Sequence, residues 1–194
     1  MKALNHFIVR IDKKYKNTIK VGDKELYLES KFNEHQHRIP YGEIVAAPTK
    51  HYTGAVEGDI LFFHHHVIMN SSLHLGEDLY LVMYSPDTSV ACHAIAYRDG
   101  GGDINMLGGW IFLEPPEKSD GYEYSDSGII VDIGFNRKPD NKAKLMSTTP
   151  ELERQGVKVG DVVCYSKNSD YEMELDDGKK VYRMRDEDLM YVEA

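Results

Sequence analysis

The residues best equipped for chemistry in this chain are its histidines, and all nine precede residue 100. The densest group is His64-His65-His66, with His74 a short way downstream. Neutral imidazoles are good ligands for zinc or iron, so this run reads first as a candidate metal site. On an extended strand, His64 and His66 would share one face and His65 would point to the other. A carboxylate to complete such a set should follow within a few residues, but those positions hold Val67, Ile68, Met69 and Asn70. The nearest acid, Glu77, lies beyond a turn, and nothing in the sequence brings His35 or His37 to the run. The expectation is therefore polar strand or surface residues and no metal. The two cysteines, Cys92 and Cys164, stand far apart and outside any CxxC pattern. They are expected to be free, buried thiols of a cytoplasmic protein. No Ser-His-Asp order, phosphate-cradling glycine loop or paired-carboxylate motif is evident. The expectation is a binding protein with no catalytic residue and no cofactor, rather than an enzyme.

The elements that position these residues come in two copies. The chain has 194 residues, 41% of them hydrophobic, enough for one large core or two small ones. Residues 1–103 hold 11 Lys+Arg against 13 Asp+Glu, and residues 104–194 hold 12 against 19. That acidic balance disfavours a nucleic-acid or anionic-membrane partner, since a phosphate backbone selects a basic patch. No apolar run has the length of a signal peptide or a membrane span. Laid against itself, the chain repeats. Pro48 precedes Gly58-Asp59 by ten residues, and Pro150 precedes Gly160-Asp161 by the same ten. Phe7-Ile8-Val9-Arg10-Ile11 has a counterpart in Trp110-Ile111-Phe112-Leu113-Glu114, and Leu79–Met83 has a looser echo in Val181–Met184. These pairs all lie 101 to 103 residues apart.

Each half reads as short strands rich in Val, Ile, Tyr and Phe between turn residues. In the first half they are 7–11, 42–47, 60–63, 79–84 and 90–95. In the second they are 110–113, 129–133, 143–147, 162–165, 171–175, 180–185 and 189–192. Only Leu152–Val157 suggests a helical turn, because no window sustains apolar spacing at i, i+3, i+4, i+7. The Gly-rich stretch 100–104 has linker composition. It divides the chain into a first module, 1–99, with a long variant loop at 12–40, and a second, 105–194, with a loop at 115–131.

Several of these segments resemble a known family. Val157-Lys158-Val159-Gly160-Asp161-Val162-Val163 is similar to the VKVGD segment of GroES-type co-chaperonins, and the closing stretch Tyr182–Ala194 resembles that family's C-terminal strand. Tyr41-Gly42-Glu43-Ile44-Val45-Ala46-Ala47 resembles its GEVLAVG strand, followed by Val56-Glu57-Gly58-Asp59-Ile60-Leu61-Phe62. The resemblance covers most of the chain, once per half. It implies an all-β protein of two tandem GroES-like β-barrels that caps a chaperonin ring and assists ATP-dependent folding. The implied partners are the ring's apical domains and further copies of this chain in a closed oligomer.

In that family a mobile loop with a short apolar knot docks on the chaperonin. Here the polar stretch 115–127 has too little aliphatic surface to stay ordered alone. It runs into Gly128-Ile129-Ile130-Val131, similar to the family's GGIVL, with Ser127 in place of its first glycine. The resemblance implies that Gly128, Ile129, Ile130 and Val131 contact the chaperonin; the plain alternative is a core strand after a surface loop. In the first half the nearest equivalent is Leu26-Tyr27-Leu28, flanked by charges, and an ordered hairpin turning at Val21–Lys24 reads equally well. The family's roof loop falls at Asn168–Tyr171, with Tyr171 its aromatic residue, and in the first half at 64–72. Two other readings stand beside this one. One is a cupin-like double-barrel metal enzyme using His64–His66; the other is a structural or assembly protein that borrows the fold.

Overall fold

The duplicated Gly-Asp pair makes the same corner twice in the computed structural model. The structure describes residues 1–16, 18–21, 24–27, 38–90, 92–115, 122–124, 130–133 and 141–193, with backbone only at 19–21, 25, 27, 122–124 and 130–133. Gly58 N–H donates to the Ile44 carbonyl at 2.9 Å and Ile44 N–H to the Asp59 carbonyl at 2.8 Å. One repeat later, Gly160 N–H donates to Leu145 O and Leu145 N–H to Asp161 O, both at 2.8 Å. Each aspartate also folds its carboxylate back over the turn. Asp59 accepts from Val56 N–H at 2.8 Å and Asp161 from Lys158 N–H at 2.9 Å. The glycines have φ of 93° and 99°, a region where a side chain would strain the backbone.

The first half forms β1 (Phe7–Arg10), β2 (Thr18–Val21), β3 (Lys24–Tyr27), β4 (Tyr41–Ala46) and β5 (Ile60–Phe63). After the short helix α1 (His66–Met69) come β6 (His74–Gly76), β7 (Leu79–Val82), β8 (Ala94–Arg98) and β9 (Ile104–Met106). The second half forms β10 (Trp110–Glu114), β11 (Tyr122–Tyr124), β12 (Ile130–Ile133) and β13 (Lys142–Leu145). Helix α2 (Pro150–Arg154) leads to β14 (Val162–Tyr165), β15 (Tyr171–Glu174), β16 (Lys180–Arg185) and β17 (Leu189–Val192). One sheet runs β6-β7-β1-β4-β5-β8-β9 and the other β15-β16-β10-β13-β14-β17, with antiparallel pairing in both. Strand for strand the two orders coincide, and the first adds only β9. In both halves a separate two-stranded hairpin, β2-β3 or β11-β12, interrupts the chain between the sheet's equivalent strands β1 and β4 or β10 and β13. The protein is all-β in architecture.

Two compact units result: Met1–Trp110 with Met173–Lys179, and Ile111–Glu172 with Lys180–Ala194. In the first, Phe7, Val9, Leu61, Phe63, Tyr80 and Val82 alternate along their strands into one core. Ile8, on the other face of β1, is buried with Ala3 and Ala46. In the second, Ile111, Leu113, Ala143, Leu145, Val163 and Tyr165 alternate likewise around Met184. Met173–Lys179 belongs to the first unit, where the Arg98 guanidinium donates to Asp176 at 3.0 Å and to Asp177 at 2.9 Å. Lys16 pairs there with Glu174.

Some elements differ from the expectations. The glycine-rich stretch is the turn of the β8–β9 hairpin. Asp99 Oδ1 accepts from the Gly101 and Asp103 N–H groups at 2.9 and 3.0 Å. The strand expected at 90–95 begins instead at Ala94, because Asp87 folds 87–90 into a turn, accepting from Ser89 N–H at 2.9 Å. Cys92 is buried as expected, but Cys164 is only half-buried; neither forms a disulfide. Among the described residues no helix is long and apolar enough to cross a membrane.

The second core carries a titration signature. Burial pushes the Tyr165 phenol up from 10.0 to about 12, with the Asp170 charge adding to it. The folded state therefore holds a proton that the unfolded chain releases above pH 10.0. The stabilisation is complete below that pH and is lost as pH rises towards about 12. Denaturant titrations across that window should show the second unit weakening, and Tyr165→Phe should flatten the dependence.

Candidate functional site

The two hairpins are the features each sheet does not need for its own pairing. In the first, β2 and β3 pair from Thr18↔Tyr27 to Val21↔Lys24. The chain leaves and re-enters the sheet side by side: Ile39 N–H donates to the Lys14 carbonyl at 3.0 Å, and Tyr15 bridges to Arg38. Lys13 Nζ adds a bond to Thr18 Oγ1 at 3.0 Å. Leu26 is 48% exposed at the strand's end, and Tyr27 follows it on β3. Leu28 lies outside the described residues.

In the second hairpin, Tyr122 pairs with Ile133, Glu123 with Asp132 and Tyr124 with Ile130, with a register shift beside Tyr124. Ile130 and Val131 are thus on β12, whose strand partner is β11 and not the six-stranded sheet. Gly128 and Ile129 lie outside the described residues. The alternating Tyr-Glu-Tyr of β11 was the available signal for this strand, hidden within a segment whose overall composition is that of a loop.

Tyr171 opens β15 rather than sitting in the preceding turn, where Asn168 has a φ of 65° and Ser169 Oγ donates to Ser166 O at 2.7 Å. The Tyr171 ring lies under the Arg183 guanidinium, 4.2 Å from centroid to Cζ. Arg183 is buried, and burial pulls its pKa down to about 10 while the Tyr171 charge acts in the opposite direction. It stays protonated at neutral pH, facing the electron-rich ring.

The histidine run does not lie on a strand. β5 ends at Phe63, and His65 already has helical φ and ψ of −55° and −20° ahead of α1. The alternation of faces expected for His64 and His66 is replaced by a turn that gathers the three rings, with His64 stacked on His65. Centroids are 4.3 Å apart for His64 and His65, 4.6 Å for His64 and His66, and 4.5 Å for His65 and His66. The turn is held by Val67 N–H donating to His64 O at 3.0 Å, and it buries Val67 and Ile68. A fourth histidine was missed by sequence reasoning. Pairing of β5 with β8 at Phe63↔Ala94 brings His93 alongside, its carbonyl accepting from His64 N–H at 2.8 Å. Its ring centroid is 6.2 Å from that of His64. Burial holds the His93 imidazole below its ordinary pKa, and the nearby His66 and His6 add to the effect. Nothing short of strand register links residue 93 to the run.

The chain matches no model of a known protein family and no curated protein. Its functional reading therefore rests on the repeat, the motifs and this geometry.

Proposed function

We propose that the protein is a tandem co-chaperonin, two GroES-like barrels that cap a chaperonin ring through the β11–β12 hairpin and, in the first half, the β2–β3 hairpin. The observation that carries the reading is the recurrence of one strand order in both halves. Each copy has a hairpin inserted at the point where the resemblance puts the docking loop. The site residues are Gly128, Ile129, Ile130 and Val131, with Leu26, Tyr27 and Leu28 as the first half's counterpart. A small apolar patch has low affinity by itself. Several such patches in one oligomer bind firmly together and still release when the ring changes state. The reading is tested by refolding a chaperonin-dependent substrate with a GroES-requiring ring and ATP. Addition of this chain should restore the yield obtained with the ring's own cap; a yield equal to that of the ring alone would count against it.

The oligomer follows from an edge. β17 is the last strand of its sheet, with β14 as its neighbour, and it presents Met190, Tyr191 and Val192 at 66%, 51% and 38% exposure. An unprotected apolar edge invites another strand. In the proposed assembly it meets an edge strand of the next copy and closes a ring, since β1 and β10 already have a strand on each side. Sedimentation should give a species several times the 22.1 kDa chain at micromolar concentration, and Met190→Asp should shift it towards monomer. A wild-type chain that stays at one copy throughout that range would contradict the ring.

A further inference from the structure

We infer that His64, His65 and His66, with His93 beside them, form a binding site for one divalent late-transition ion of the zinc, nickel or copper(II) kind. The ligand-capable nitrogens of the three consecutive histidines lie within 4.8 Å of one another. Metal–imidazole bonds of about 2.0–2.1 Å place tetrahedral ligand nitrogens roughly 3.3 Å apart, so the rings must draw together by at most about 1.5 Å. Rotation of the side chains can supply that, since His66 is exposed and His64 and His65 are only half-buried. The β5-to-α1 turn already gathers the three rings, and the His64–His93 hydrogen bond pins that turn to the residue before β8.

His93 is a second, independent pointer. Its Nδ1 is buried and has no hydrogen-bond partner among the described residues. An imidazole nitrogen in that position is costly unless something takes its lone pair or its proton. A water held by the bound ion would satisfy it. The donor set is all imidazole, which suits zinc, nickel and copper(II) and not the oxygen-seeking calcium or magnesium. Loading has one local consequence. His64 Nδ1 now accepts a 3.2 Å contact from His66 N–H, and that contact must loosen if His64 changes tautomer or binds through Nδ1.

The site differs from the cupin arrangement considered from sequence, because its ligands come from a turn and not from one strand face. It implies metal binding by the first unit and makes no demand on the docking hairpins.

The test uses the full chain, prepared without a histidine tag and stripped with a chelator. Zinc titrated by calorimetry should bind at one equivalent per chain with micromolar or tighter affinity. His64→Asn with His66→Asn should weaken it roughly 100-fold, while His74→Asn, outside the cluster, leaves it unchanged. The exposed His66→Asn alone should weaken it about tenfold, which keeps the test open if the double variant fails to fold. Copper(II) bound to the wild-type chain should show spin-resonance splitting from at least three nitrogens. Zinc binding that is absent at micromolar concentration, or that survives His66→Asn and the folded double variant undiminished, would overturn the site.

Discussion

Replacing Ile129 and Ile130 together by serine is expected to abolish capping of a chaperonin ring while leaving the melting temperature nearly unchanged. If each isoleucine is buried in the complex, its loss costs roughly 1.5–3 kcal/mol of docking energy. Two per chain then weaken each loop by about 3–6 kcal/mol, and every 1.4 kcal/mol is about tenfold in affinity. Because the loops act together, the loss compounds over the oligomer. The fold should tolerate the change, since β12 pairs with β11 in a two-stranded sheet outside the six-stranded one. Binding and melting must be measured on the same variant. A collapsed melt would mean that these residues are core, and unchanged binding to a ring that the wild type caps would remove them from the interface.

Phe7→Ala should have the largest effect on the fold of the first unit. Phe7 is fully buried on β1, the central strand between β7 and β4, and meets Tyr84 edge-on at 5.7 Å between centroids. Truncating a buried phenylalanine costs about 3–5 kcal/mol through lost transfer energy and the cavity left behind. That is a large share of the roughly 5–15 kcal/mol that holds a domain together. Hydrogen exchange should quicken across β1, β4 and β7, the strands that share its core. Exchange unchanged in those strands would mean that the cavity collapses or that the core is organised differently.

Much of this architecture could be read from residue patterns where the physics is local. β5, β14, β16 and β17 fall on the expected residues because short apolar runs are bounded there by turn-formers. The Gly-Asp corners were visible because a glycine and an aspartate at fixed spacing have few other uses together. Other elements depend on pairing that no local pattern reveals. β9 is three half-buried residues, Ile104–Met106, made a strand by the Asp99 turn that folds them onto β8. Composition cannot tell such a turn from a linker, since both want glycine and aspartate. The histidine run looked like a continuation of β5, but hydrogen bonding at its end turned it into a helix start. His93 reached it through β5–β8 register, across nearly thirty residues of sequence. The β2–β3 pairing matches the hairpin reading that turns at Val21–Lys24, and β12 lies within the expected strand 129–133, whereas β11 stands in a segment whose composition is that of a loop.

The most direct test of the co-chaperonin account is cryo-electron microscopy of the full chain mixed with a chaperonin ring and a non-hydrolysable ATP analogue. The account predicts rings capped by a closed oligomer of this chain, with density running from the 122–133 hairpins into the apical domains. The same mixture without nucleotide should show few caps. Uncapped rings with nucleotide present, for a chaperonin from the protein's own source as well as a GroES-requiring one, would contradict it.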